Sequence, residues 1–202
     1  MSAEITHGST LEEDVDLRDL YRRMVEEFDR RMRSVGEEHW SSPTHCCPDW
    51  TVGDLVNHVV NENRWIPPLL SGKTVAEVGS RFDGDLLGND PDAAWRSAVE
   101  EALQAIAQQG ALDVTVSLSS GAASARSYIA EVLSDQIVHT WDLATSVEAE
   151  ARLDPELVDF AYRTLEPLAK KWREAGYLGD PVTVPAEADP QTKLLALLGR
   201  RA

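Results

Sequence analysis

Positive charge is scarce in this chain. Its 202 residues carry 19 Lys and Arg against 35 Asp and Glu, a formal net charge of −16. Nucleic-acid binding rests on basic stripes that displace phosphate counterions. The chain has no such stripe, so nucleic acid is not expected as a partner. Anionic membrane surfaces are disfavoured for the same reason. Cysteine is equally rare. Cys46 and Cys47 are adjacent, and neighbours in sequence make a poor structural crosslink, so no disulfide framework is expected. No apolar run approaches the ~20 residues that span a bilayer. The opening "MSAEITHGST" lacks the basic and apolar regions of a secretory signal. A cytoplasmic protein with no membrane partner is the expectation. Strand-type alternation is nearly missing, and neither a Gly-rich phosphate loop nor a nucleophile elbow occurs.

What the chain does contain is helical periodicity. Its length fits a single domain over 1–202, with 1–10 as a flexible tail, and suffices for a core without disulfide staples. From Leu11 to about Val35, apolar residues recur at three- and four-residue steps, and Gly36 can end that helix. A second helix starts at Thr51, a good N-cap with Asp54 three residues on. Pro67 and Pro68 are expected to close it or to begin an irregular turn. Residues 71–89 read as a connector. A third helix begins at Asp90–Pro91, carries Trp95, Val99, Leu103 and Ile106 on its buried stripe, and ends at Gly110. "LDVTVSL" (112–118) is the one stretch of strand type, and "SSGAAS" after it reads as a turn, compatible with one small hairpin. A fourth long helix covers about 125–147, a fifth runs from Pro155 to about Ala175, and "QTKLLALLG" is a short final helix. The sum is an all-α fold, an up-down four-helix bundle with an extra C-terminal helix. Bundles build ligand and metal sites from side chains on facing helices.

The fourth helix raises the functional question. Placing Glu131 at zero on a helical wheel, Asp142 falls near ~20°, Asp135 near ~40° and His139 near ~80°. Apolar residues fill most of the remaining circumference, as in a central helix. The polar stripe can face water, make a core hydrogen bond, or supply half of a metal site. Residues four apart on a helix are close enough to share one ion. His58, in "DLVNHVVNENRW", sits in the middle of the second helix among Leu55, Val59 and Val60. A lone histidine there is more often a core residue than a ligand. Two histidines and one carboxylate from two helices, however, form a set suited to zinc or iron(II) with positions left open. His45, Cys46 and Cys47 lack the paired spacing of a structural zinc site and are assigned to loop packing. His7 and His39 are expected to be solvated. Trp50, Trp65 and Trp141 are candidate pocket walls.

"CCPDWTVGDLVNHVVNENRW" together with "DQIVHTWDLA" resembles the paired motifs of the DinB/YfiT-like superfamily. The nearer resemblance is to the metal-binding domain of mycothiol-dependent maleylpyruvate isomerase and its actinobacterial relatives. It runs from about residue 15 to the closing "VPAEADPQTKLLALLGRR". The excess of arginine, 15 of the 19 basic residues, and the abundance of alanine suit a GC-rich genome of that kind. The resemblance implies a divalent metal, zinc before nickel or iron, held by His58, Asp135 and His139. It also implies mycothiol or another low-molecular-weight thiol as co-substrate, a small electrophile as partner, and thiol transfer or thiol-dependent isomerisation as the reaction class. Asp142 is then placed to orient a histidine, and Glu131 to face the open side. Homodimerisation is compatible with such bundles. Two features depart from the isomerase. The carboxylate here is aspartate where the isomerase has glutamate, and about 25 residues follow the fifth helix where the isomerase has a further domain. Alternative readings are a non-catalytic metal or small-ligand binding protein, and an interaction protein with a vestigial site.

Overall fold

The computed structural model describes residues 16–45, 47, 49–176 and 178–201. Among them the chain forms α1 (Leu17–Met32), α2 (Val52–Leu70), α3 (Val75–Val78), α4 (Pro91–Ala107), β1 (Thr115–Leu118), β2 (Gly121–Ser124), α5 (Ala125–Ser146), α6 (Pro155–Glu174) and α7 (Pro190–Leu197). The all-α expectation holds. Helices α1, α2, α4 and α5 pack into the bundle. Helix α6 lies against α5, and α7 against α6. No helix among the described residues is long and apolar enough to cross a membrane.

Each long helix starts where a side chain caps its exposed amides. Thr51 and Asp54 form a reciprocal capping box on α2. Asp90, Asp154 and Asp189 cap α4, α6 and α7, each followed by proline in the first turn. The apolar stripes then meet in one core, which includes Tyr21, Met24 and Phe28 of α1, Leu55 and Ile66 of α2, Trp95 and Ile106 of α4, and Leu133 and Ile137 of α5. The rings of Phe28 and Trp95 lie 4.5 Å apart. Helix α5 is buried over most of its circumference from Ile129 to Ala144, which makes it the central element.

Six details differ from the sequence-based expectation. Helix α1 begins at Leu17 rather than Leu11, because Asp16 adopts a non-helical conformation and accepts from the amides of Arg18 and Asp19; residues 1–15 lie outside the described part. It ends at Met32, three residues before Val35. Pro67 and Pro68 do not close α2. Burial of Ile66 and Leu69 carries the helix to Leu70, and the missing amides fall only in the last turn, where the N–H of Ser71 bonds Pro67 O at 3.0 Å. The connector contains the short capped helix α3. The third helix stops at Ala107, before Gly110. The hairpin is present, but "GAAS" is its second strand rather than part of the turn, with Leu118 paired to Gly121 around a two-residue Ser119–Ser120 loop. Gly121 takes a φ of 120° there, which a side chain would oppose.

Trp95 is 1% exposed and packs its ring on that of Phe28 of α1. Trp95→Ala is expected to lower unfolding stability by about 3–5 kcal/mol, read by urea denaturation. A loss under ~1 kcal/mol would mean that the core closes around the gap.

Candidate metal centre

His58 projects from the middle of α2, and Asp135 and His139 from successive turns of α5. Asp135 Oδ2 lies 3.3 Å from His58 Nε2 and 3.1 Å from His139 Nε2. All three donor atoms lie within 4.8 Å of one another. Ligands bonded to zinc at ~2.0–2.1 Å in a tetrahedron are about 3.3 Å apart, so the two spacings from Asp135 suit a shared ion. The shorter aspartate therefore reaches both histidines. Side-chain exposure grades from 33% at His58 and Asp135 to 7% at His139, so the cluster opens on the His58 side.

His139 is oriented from behind. Its Nδ1 lies 2.9 Å from Asp142 Oδ2, which turns Nε2 toward Asp135. Asp142 is fully buried and is held by Arg200, with Nε to Oδ1 at 2.8 Å and an Nη to Oδ2 at 2.7 Å. That fork-to-fork pair fixes the carboxylate plane. Burial alone would raise the Asp142 pKa, but the bonds from His139 and Arg200 outweigh it and hold the group below the usual carboxylate range. Arg200 owes its place to the end of α7. The amides of Gly199 and Arg200 bond Ala196 O and Leu195 O at 3.1 and 2.8 Å, closing the helix with the left-handed glycine turn of a Schellman motif. A Cβ on Gly199 would meet Asp180 O at 3.0 Å.

Sequence reasoning missed two residues of this neighbourhood. Arg200 is one, 58 positions from its partner. Glu62 is the other. It stands one turn after His58 on α2, with Oε1 3.9 Å from His58 Nε2. Its Oε2 is buried and makes no hydrogen bond among the described residues. Burial and the charge of Asp135 push the Glu62 carboxyl well above its usual range. Asp135 moves the other way. Burial opposes ionisation, but His139 and His58 overcome it and hold the carboxyl far below the usual range. Two carboxylates, one of them with an orphaned oxygen, beside two imidazoles with no Lys or Arg bonded to either acid among the described residues, make a donor set that fits a divalent cation. The i, i+4 spacing of His58 and Glu62 is the sequence signal that could have found the second acid.

A cavity of about 640 Å³ adjoins the open side, with His58 in its wall. Trp50 lines it, its ring 5.1 Å from that of His58 and 6.0 Å from that of His139. Trp65 supports the cavity indirectly, edge-on to its lining residue Phe82 at 5.6 Å. Trp141 is a buried core residue and does not line it. Nor does Glu131, which lines a different groove with residues of α1 and α6. His45 is exposed, and its amide bonds Ser146 Oγ at 3.4 Å. Cys47 belongs to the loop, where its carbonyl accepts from Thr44 Oγ1 at 2.9 Å. Cys46 and His7 fall outside the described residues. His39 is half-buried rather than solvated, with Nδ1 accepting from the amide of Gly36 at 2.9 Å.

A helical bundle with two histidines and a carboxylate converging from two of its helices defines a protein of the DinB-like class. The chain belongs to the mycothiol maleylpyruvate isomerase N-terminal domain family, whose model matches residues 21–144. That span holds the whole triad and stops short of Arg200. Two uncharacterized proteins from two strains of Mycobacterium tuberculosis are each 29% identical to it over 185 residues, covering 89% of this chain and 95% of their own length. No solved structure gives a significant match.

Asp142→Asn removes one partner of a buried pair and leaves the Arg200 guanidinium without its countercharge. The expected loss is about 3–5 kcal/mol, read by denaturant melts near pH 7. Because the folded-state pKa of Asp142 is depressed, its contribution is present above the unfolded value of ~3.9 and fades as pH falls below it. Stability should thus drop more steeply below about pH 4 in the wild type than in the variant. Parallel pH profiles would show that the pair contributes nothing.

Proposed function

We propose that His58, Asp135 and His139 hold a divalent cation, zinc before nickel or iron, and that the site performs thiol chemistry on a small electrophile. The observation that supports this reading is the convergence of the three donor atoms from α2 and α5, at spacings that suit tetrahedral ligation. Family membership adds the expectation that the thiol is mycothiol or another low-molecular-weight thiol. Isomerisation of maleylpyruvate itself is not carried over to this chain, since function resides in the site and not in the fold.

When bound, the cation would act as a Lewis acid that lowers the pKa of a coordinating thiol and so supplies a nucleophile at neutral pH. The chain's own residues do the rest. Asp142, locked by Arg200, keeps the Nδ1 proton on His139 and leaves Nε2 as donor. Asp135 bridges the two histidines and balances positive charge. Glu62, beside His58, adds a second carboxylate at the inner end. Trp50 covers the ring faces of both histidines and restricts water on that side. The cavity next to His58 provides the approach for substrate.

Purified full-length protein reconstituted with zinc, nickel or iron(II) should retain about one equivalent by elemental analysis. His139→Ala and Asp135→Ala should retain far less, and Cys47→Ser should behave as wild type. Metal retained equally by the two triad variants would sink the ligand assignment. Wild-type protein that binds metal yet consumes no thiol with alkylating electrophiles would favour the alternative, a non-catalytic metal or small-ligand binding protein.

A further inference from the structure

Resting on the metal reading above, we infer that the cavity beside the triad selects thiols or electrophiles that carry an ammonium group and disfavours those that carry a carboxylate. The lining residues include Asp49, Asp54 and Asp83, and none of them is Lys or Arg. Two asparagines also line the cavity, and each spends an amide N–H on the cavity's own wall. Asn57 Nδ2 bonds Gly84 O at 3.0 Å, and Asn61 Nδ2 bonds Phe82 O at 2.6 Å. These bonds staple the connector between α3 and α4 onto α2 and so build the cavity's far wall. Asn57 Oδ1 is used as well, accepting from the amide of Leu86 at 2.7 Å. Asp54 is committed to its cap on Thr51. The groups left for a ligand are the carboxylates of Asp49 and Asp83 and the aromatic faces of Trp50 and Phe82.

Every one of these favours positive charge. Carboxylates attract an ammonium directly, and indole faces attract it through their quadrupole. A carboxylate-bearing ligand would meet two like charges and no Lys or Arg among the described lining residues. A cation at the inner end would not reverse this preference, because the ionised Asp135 lies beside it and offsets part of its charge. The background field of a chain with net charge −16 has the same sign as the wall. The ligand's orientation follows. Its sulfur points to the triad, and its charged end lies between Asp49 and Asp83.

The test uses full-length protein loaded with cobalt(II), whose thiolate charge-transfer absorbance reports binding. Cysteamine, 2-mercaptoethanol and 3-mercaptopropionate serve as cationic, neutral and anionic probes. In Asp49→Asn/Asp83→Asn, cysteamine should bind roughly tenfold more weakly. Mercaptoethanol should be unchanged, and mercaptopropionate unchanged or tighter. Comparing each probe between the two proteins cancels the intrinsic differences among the thiols. Raising salt from about 50 to about 500 mM should weaken cysteamine selectively in the wild type, a check independent of any substitution. Equal shifts for all three probes, or a cysteamine affinity indifferent to salt, overturn the inference. A wild type that takes up no cobalt overturns the metal reading instead.

Discussion

The register between α2 and α5 is the constraint on which the site depends. It is fixed inside the core by a short polar chain. Tyr21 Oη donates to Asn63 Oδ1 at 2.6 Å, and Asn63 Nδ2 donates to Val59 O at 2.7 Å and to Gln136 Oε1 at 3.3 Å. Each of these groups, left unpaired in an apolar interior, would cost about 1–3 kcal/mol. Only one sliding position of the two helices satisfies them together. Asn63 lies five residues after His58, and Gln136 is next to Asp135, so the register that pairs the amides also brings His58 and Asp135 to one height. A slip of one turn, about 5.4 Å, would break both.

Charge is arranged around that register in two layers. Near the opening are His58 and Asp135, with Glu62 buried beside them, imidazole and carboxylate with no guanidinium bonded to them among the described residues. Behind His139 the order changes. Asp142 is fully buried and its charge is met by Arg200, arriving from the end of α7. The arginine thus serves the site without entering it. It lets a buried carboxylate remain ionised, and the carboxylate fixes one imidazole. The C-terminal segment is tied to the centre by this route, which explains why a helix packed against α6 rather than within the bundle still bears on the triad.

Much of the fold was legible from local pattern. Periodicity located every long helix, and capping residues marked the starts of α2, α4 and α6, because both signals act within a few residues. The errors fell where distant packing overrode a local cue. Two prolines read as a stop, yet burial of Ile66 and Leu69 held α2 together past them. "GAAS" read as a turn because its residues are small, and only its partner strand made it β. Glu131 and Trp141 share a helix with Asp135 and His139, but what each of them faces was set by neighbours that α5 meets only in the folded bundle.

By itself, the sequence determined an acidic helical chain with His58 on one helix and Asp135 and His139 one turn apart on another. The i, i+4 spacing is a property of the helix alone, so that half of the site needed no tertiary information. Whether the stripe faced water or the interior was left open by the pattern and was decided by the packing of α5 at the centre. The tertiary structure alone brought His58 across to Asp135, made Glu62 a buried neighbour rather than a solvated acid, and delivered Arg200 to Asp142. The physical reason is that these contacts join residues far apart in the chain. Their energies depend on burial and on register, and neither is encoded within a single turn of helix.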